Sequence, residues 1–158
     1  MLAAGASSRY GGVKQRELVP AVLAALAESS VEDVVVVEGA HPLDLPGVRV
    51  VHCAHWERGP GVSLRCGLEA LGPEVTRAVI VLADGPELDP RAVDRLAAEP
   101  APVAAASYDG TRSHPVALDR SAWRAVPDEG GRALEPVLVD CSDLRSPGDR
   151  DVRRYDEG

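Results

Sequence analysis

The sequence has only three cysteines, Cys53, Cys66 and Cys141, an odd number spread far apart with no C-x-x-C pair. That excludes a disulfide framework and a zinc knuckle, and it points to a reducing, cytoplasmic setting. No apolar run approaches the roughly 18 residues a membrane span needs, and the start lacks a charged stretch followed by an apolar one, so neither insertion nor export is expected. Positive charge is also scarce. Seventeen basic residues face twenty-five acidic ones, for a net charge of −8, which argues against wrapping nucleic acid or lying on an anionic membrane. Lysine is nearly absent: sixteen of the seventeen basic residues are arginine and the other is Lys14. An ammonium is a compact point charge able to follow moving phosphates, whereas guanidinium is a planar fork, so a solitary lysine inside a glycine-bearing loop hints at chemistry.

With 158 residues and 45% hydrophobic content, the chain is sized for a single domain, residues 1–158, with its own core. Short β-branched runs at residues 34–37, 48–52, 78–83 and 103–106 alternate with helical patterns at 20–28 and 62–71. A third helix is expected from the Asp89 N-cap and Pro90 to about Ala98. This alternation predicts an α/β fold, a mostly parallel twisted sheet in three layers with helices on both faces. The last third is less regular, with a strand expected at 115–118 and short helices at 121–126 and 131–135. Only Met1 and Leu2 precede the first glycine loop, so the first strand must be very short.

The segment LAAGASSRYGGVKQ, residues 2–15, reads as a strand end running into a loop with Gly5, Gly11 and Gly12, then Arg9 and Lys14. Small residues let backbone N–H groups approach phosphate oxygens, and the two cations offset triphosphate charge. It is neither a G-x-x-x-x-G-K-[ST] loop nor G-x-G-x-x-G, but the carboxyl end of a strand is where open α/β sheets bind ligands. Asp84 follows the apolar run 79–82, which would bring its carboxylate to the same sheet edge, a hard oxygen ligand suited to Mg²⁺. Local sequence alone reads Asp84-Gly85-Pro86 as a turn. Ser63 is a candidate cap whose helix start also offers N–H groups to a ligand. His114 is read either as projecting into the acceptor side of the cleft or as an ordinary hydrogen-bonded histidine. His52, Cys53 and His55 lack the second spaced pair of a transition-metal site. Gly61-Val62-Ser63-Leu64-Arg65 ends in arginine, so no nucleophile elbow is present.

These segments resemble the MobA-like NTP transferases, notably the molybdenum-cofactor cytidylyl- and guanylyltransferases. Their opening signature L-A-[AG]-G-x-S-x-R-M-G-x-x-K is matched at every fixed position except Tyr10, which stands in place of methionine. HWERGPGVSLRCGLEAL (55–71) is similar to the W-x-x-G-x-x-x-S-L-x-x-G-L-x-x-L stretch, VIVLADGPELDP (79–90) to the strand ending G-D-x-P, and SHPVAL (113–118) to the G-H-P-V strand. The resemblance implies a nucleotidyltransferase in which Arg9, Lys14 and Asp84 are catalytic. It implies that Leu2, Ala3, Ala4, Gly5, Ser7, Arg9, Lys14, Ser63 and His114 bind the nucleotide or acceptor, and that Asp84 and Asp151 hold Mg²⁺. Ala4 and His114-Pro115 follow the cytidylyl pattern, implying CTP rather than GTP. The implied acceptor is a phosphorylated small molecule such as molybdopterin, with a molybdoenzyme maturation partner downstream. The chain departs from the family in its tail, where DRDVR (149–153) keeps two aspartates of D-x-D-T-P but not the Thr-Pro. A nucleotide-binding protein that has lost catalysis, or a transferase acting on a sugar phosphate or specialised-metabolite precursor, therefore stands beside the first reading.

Overall fold

A computed structural model describes residues 1–7 and 13–149. Seven strands are formed: β1 (Leu2–Ala3), β2 (Val35–Glu38), β3 (Arg49–His52), β4 (Arg77–Ile80), β5 (Val103–Tyr108), β6 (Thr111–Asp119) and β7 (Val137–Asp140). Three α-helices connect them: α1 (Lys14–Ala27), α2 (Pro60–Glu69) and α3 (Pro90–Ala98). β1, β2 and β3 form one parallel ladder, with Leu2 opposite Val37 and Val35 opposite Arg49. β4, β6, β5 and β7 form a second, in which β6 runs antiparallel to both neighbours and β7 pairs parallel to β5. Leu2 joins the two, its N–H donating to Val81 O at 2.9 Å and its carbonyl accepting from Ala83 N–H at 3.0 Å. The resulting strand order is β3-β2-β1-β4-β6-β5-β7, mostly parallel as the alternation of patterns predicts.

Consecutive residues of the central strand point to opposite layers. Val79 and Val81 pack with Val22, Leu26 and Val93 of α1 and α3, while Ile80 packs with Leu64 and Leu68 of α2. The β5–β6 turn is Asp109-Gly110, both at positive φ (52° and 78°), the backbone that a tight hairpin requires and that Asp-Gly adopts readily. Asp89 caps α3 by accepting from Arg91 N–H, with Pro90 in the first turn, as its sequence predicts.

Three elements differ from the sequence-based expectation. α1 begins at Lys14, not at Pro20, and carries that proline in its interior, exposed to solvent. A helical interior proline costs about 3 kcal/mol. Leu18, Val19, Val22 and Leu26 are buried on the opposite stripe, each contributing about 1.5–3 kcal/mol, so the packed face outweighs the break. Ser63 does not cap α2: the cap position is Gly59, and Ser63 lies a turn inside, buried. Gly59 sits at φ 138° with Asp128 O against the place of a β-carbon, which only glycine tolerates. β7 was not anticipated, although Val137, Leu138 and Val139 follow a proline in the manner of a strand. The expected strand at 115–118 is the centre of a longer β6, and the expected helices at 121–126 and 131–135 are 3₁₀ turns over Arg120–Ala125 and Gly131–Ala133.

Candidate active site

β1 and β4 lie side by side and end together, so the loops that follow them, one glycine-bearing and one carrying Asp84, face each other by construction. Lys14 opens α1 at the far end of the first loop, and its Nζ lies 3.2 Å from Asp84 Oδ2. The two side chains are 12% and 30% exposed, so the pair is neither free in water nor sealed in the core. Asp84 also occupies the turn that its local sequence suggests, since Gly85 N–H donates to Leu82 O. Both readings of this aspartate therefore hold in one place.

The loop itself is fixed by a residue that sequence reasoning missed. Gln15 is buried; its Nε2 donates to Gly5 O at 2.7 Å, and its Oε1 accepts from Ser7 Oγ at 2.6 Å. One amide thus spans the loop base and satisfies groups that would otherwise be stranded. Ser7 is at φ 54°, a conformation uncommon outside glycine and supported here by that bond. Ala40 N–H donates to Ala4 O at 3.0 Å and His41 Nε2 lies 3.0 Å from Ala6 O, tying the loop to the end of β2.

Over these strand ends opens a cavity of about 420 Å³. Leu2, Ala3, Ala4, Gly5, Ser7, Lys14, Ser63 and Asp84 all line it, with Gln15, Trp56, Glu57 and Pro60. Its size suits a nucleotide-sized ligand. A second recess of about 460 Å³ lies at the opposite ends of the same strands; Arg77 is its sole cationic side chain. Gly5 and Ser7 of the loop, the lysine and the aspartate converge on the first cavity. Trp56 and Glu57 were also missed as site residues, because only the fold brings the turn after β3 over the end of β1.

Two expectations change on contact with this geometry. The N–H of Gly61 at the start of α2 already donates to Asp128 O at 2.9 Å, and Arg65 holds the same loop through Asp128 and through Val126 O, so that helix N–H is committed to protein. His114 is buried and does not line the cavity. Its ring packs against Gly85, where a β-carbon would lie 2.6 Å from ring Cε1 and Nε2, because glycine leaves the space. Neither ring nitrogen has a hydrogen-bond partner. Burial lowers its pKa to about 4 against the opposing pull of the Asp84 carboxylate, so the ring is neutral at pH 7. The chain beyond β7 returns to the same loop, with Pro147 fully buried and its carbonyl accepting from Glu87 N–H at 3.1 Å. Arg9 and Asp151 lie outside the described residues.

Among the described residues no three His, Cys, Asp or Glu side chains gather into a metal cage. Asp84 offers a hard oxygen at the cavity beside Lys14, and this fits a divalent ion such as Mg²⁺, which takes one or two carboxylates and completes its shell with phosphates and water. His52 pairs with Glu38, Nδ1 to Oε1 at 3.3 Å, and Cys53 is buried. No described helix is long and apolar enough to cross a membrane.

Residues 1–140 match the family profile described as MobA-like NTP transferase domain. The fold is similar to that of the Rv0371c homolog from Mycobacterium sp. strain JC1, at TM-score 0.78 and 23% identity over 96% of this chain and 88% of that one. Rv0371c from Mycobacterium tuberculosis H37Rv is similar at TM-score 0.77 and 25% identity, over 96% and 90% of the two chains. A structure of Rv0371c from the same organism in complex with manganese aligns at TM-score 0.67 and 22% identity, over 88% and 85%. No curated protein matches the sequence.

Proposed function

The chain belongs to the MobA-like NTP transferase family, and from that premise we propose that it transfers a nucleoside monophosphate, CMP from CTP, to a phosphorylated small-molecule acceptor such as molybdopterin, releasing pyrophosphate. The observation that carries this reading is the meeting of Lys14 with Asp84, 3.2 Å apart, at a cavity whose wall includes the glycine loop. An acceptor phosphate oxygen attacks the α-phosphorus and pyrophosphate departs, a reaction governed by positioning and charge neutralisation. Lys14 binds the triphosphate and offsets charge that builds on the departing oxygens. Gly5 lets the backbone close on the phosphates, and Gln15 holds that loop in its binding shape. Asp84 and, from the tail, Asp151 would hold Mg²⁺, which when bound supplies Lewis-acid neutralisation of the phosphoryl oxygens.

Ala4 and His114-Pro115 support CTP over GTP, since they follow the cytidylyl pattern. The three free thiols suit a reducing cytosol, and a pterin product would feed the maturation of a molybdoenzyme. Thermal stabilisation by CTP, GTP and ATP with Mg²⁺, followed by pyrophosphate release with a phosphorylated pterin, tests the reading. CTP is expected to stabilise most and to be turned over. Preferential stabilisation by GTP reassigns the base; stabilisation without pyrophosphate release from any acceptor favours a nucleotide binder that has lost catalysis.

A further inference from the structure

The cavity is lined by the Lys14–Asp84 pair, which the chemistry above uses, and by apolar and aromatic side chains, which it does not. Lys14 is the sole cation among the described residues that line it, and it stands beside Asp84. The rest of the lining includes Leu2, Pro60 and Trp56, together with Glu57. A phosphate chain is drawn to an ammonium, so its place is at Lys14, and the apolar and aromatic lining is left for the base.

From this we infer that Trp56 is the face on which the nucleobase stacks, a base-positioning residue for the transfer; the inference rests on the nucleotidyl-transfer reading. Trp56 is the one aromatic side chain among the described lining residues. Its indole is seated on Gly39, where a β-carbon would lie 2.6 Å from Trp56 Cγ and 2.8 Å from Ala4 O, so the ring is packed against the end of β2 beside the glycine loop. The 3₁₀ turn Trp56–Arg58 fixes its backbone: Trp56 N–H donates to Cys53 O at 3.3 Å and its carbonyl accepts from Gly59 N–H at 3.2 Å. A ring held this way loses little freedom when a base covers it, which is the condition for stacking to add affinity.

The test follows binding by tryptophan fluorescence in the full chain. Trp123, the other tryptophan, donates its indole N–H to Leu118 O and lies under the Arg120 guanidinium, outside the cavity, so it provides a constant background. CTP with Mg²⁺ should quench the emission, whereas inorganic tripolyphosphate with Mg²⁺ should bind without quenching. Trp56→Leu should weaken CTP roughly tenfold to a hundredfold while leaving tripolyphosphate affinity unchanged, and Trp56→Phe should recover affinity to within about threefold. A parental melting temperature for Trp56→Phe guards against misfolding. Equal CTP affinity in the parent and Trp56→Leu, or quenching by tripolyphosphate alone, overturns the role of Trp56 and leaves nucleotidyl transfer standing. Failure of every nucleoside triphosphate to bind the parent overturns both.

Discussion

Lys14 and Asp84 are separated by seventy residues in sequence and meet at 3.2 Å. On the proposed reading, each offsets the other's charge until a triphosphate and its metal arrive. Binding then amounts to an exchange, in which the ammonium turns to phosphate oxygens and the carboxylate to a cation. Lys14→Ala should lower triphosphate affinity about tenfold to a hundredfold, the value of a charge-assisted bond. Because a partly exposed ion pair contributes little to folding, its melting temperature should stay near the parent's. Calorimetric titration paired with thermal melts checks both; undiminished affinity would remove the ammonium from the site.

Asp84→Asn keeps the shape of the turn and deletes the charge. Pyrophosphate release should fall by about a hundredfold to a thousandfold at every Mg²⁺ or Mn²⁺ concentration, while nucleotide binding without metal persists. A variant as active as the parent would show that the ion, if used, is held elsewhere.

Gln15→Leu is close in volume but removes both hydrogen bonds to the loop. The Gly5 carbonyl and Ser7 hydroxyl lose their partner, at a cost of about 1–3 kcal/mol. Urea denaturation should record that loss, and steady-state kinetics should show KM rising more than kcat falls, because a loosened loop binds phosphates less well. An unchanged denaturation midpoint would mean that the amide does not hold the loop.

Burial keeps His114 neutral, with its pKa lowered to about 4 in the fold against an ordinary value near 6.5 in an unfolded chain. Between those values the unfolded state binds the extra proton. The stability contribution is thus complete above about pH 6.5 and is lost as pH falls towards 4, by on the order of 3 kcal/mol. His114→Gln cannot titrate and should shed less stability across that window. Parallel loss in parent and variant, measured by denaturation between pH 4 and 7, would contradict the assignment.

Gly61→Ala places a methyl group into the carbonyl of Pro127. That backbone cannot retreat easily, because Arg65 holds Val126 O and Asp128 on either side of it. A destabilisation of about 3 kcal/mol, the upper range for overpacking, should appear in chemical denaturation. Parental stability would mean that the 126–130 loop is free to move away.

The parts of this molecule legible in the sequence were those carried by local chemistry: the glycine loop, the solitary lysine, Asp84 after its apolar run, and the Asp89-Pro90 helix start. What escaped depended on tertiary contact. Pro20 looks like a helix start until the burial of Leu18 and Val19 shows the helix already under way. Gln15 resembles any polar residue in a first turn, and its role exists only because Gly5 and Ser7 fold back over it. Ser63 has the composition of a cap, but Gly59 takes that position because the 126–130 loop crosses there. Trp56 becomes a cavity wall only once Gly39 provides its seat, and His114 is buried because Gly85 leaves room for its ring.

The short strand at the middle of the sheet makes the geometry of the site hang on one residue. Leu2 is bonded to β2 on one side and, through two backbone hydrogen bonds, to the end of β4 on the other. The ammonium enters from the chain leaving one flank of this join and the carboxylate from the other. The 3.2 Å between Lys14 and Asp84 therefore depends on the few backbone hydrogen bonds of Leu2 more than on the long ladders to either side.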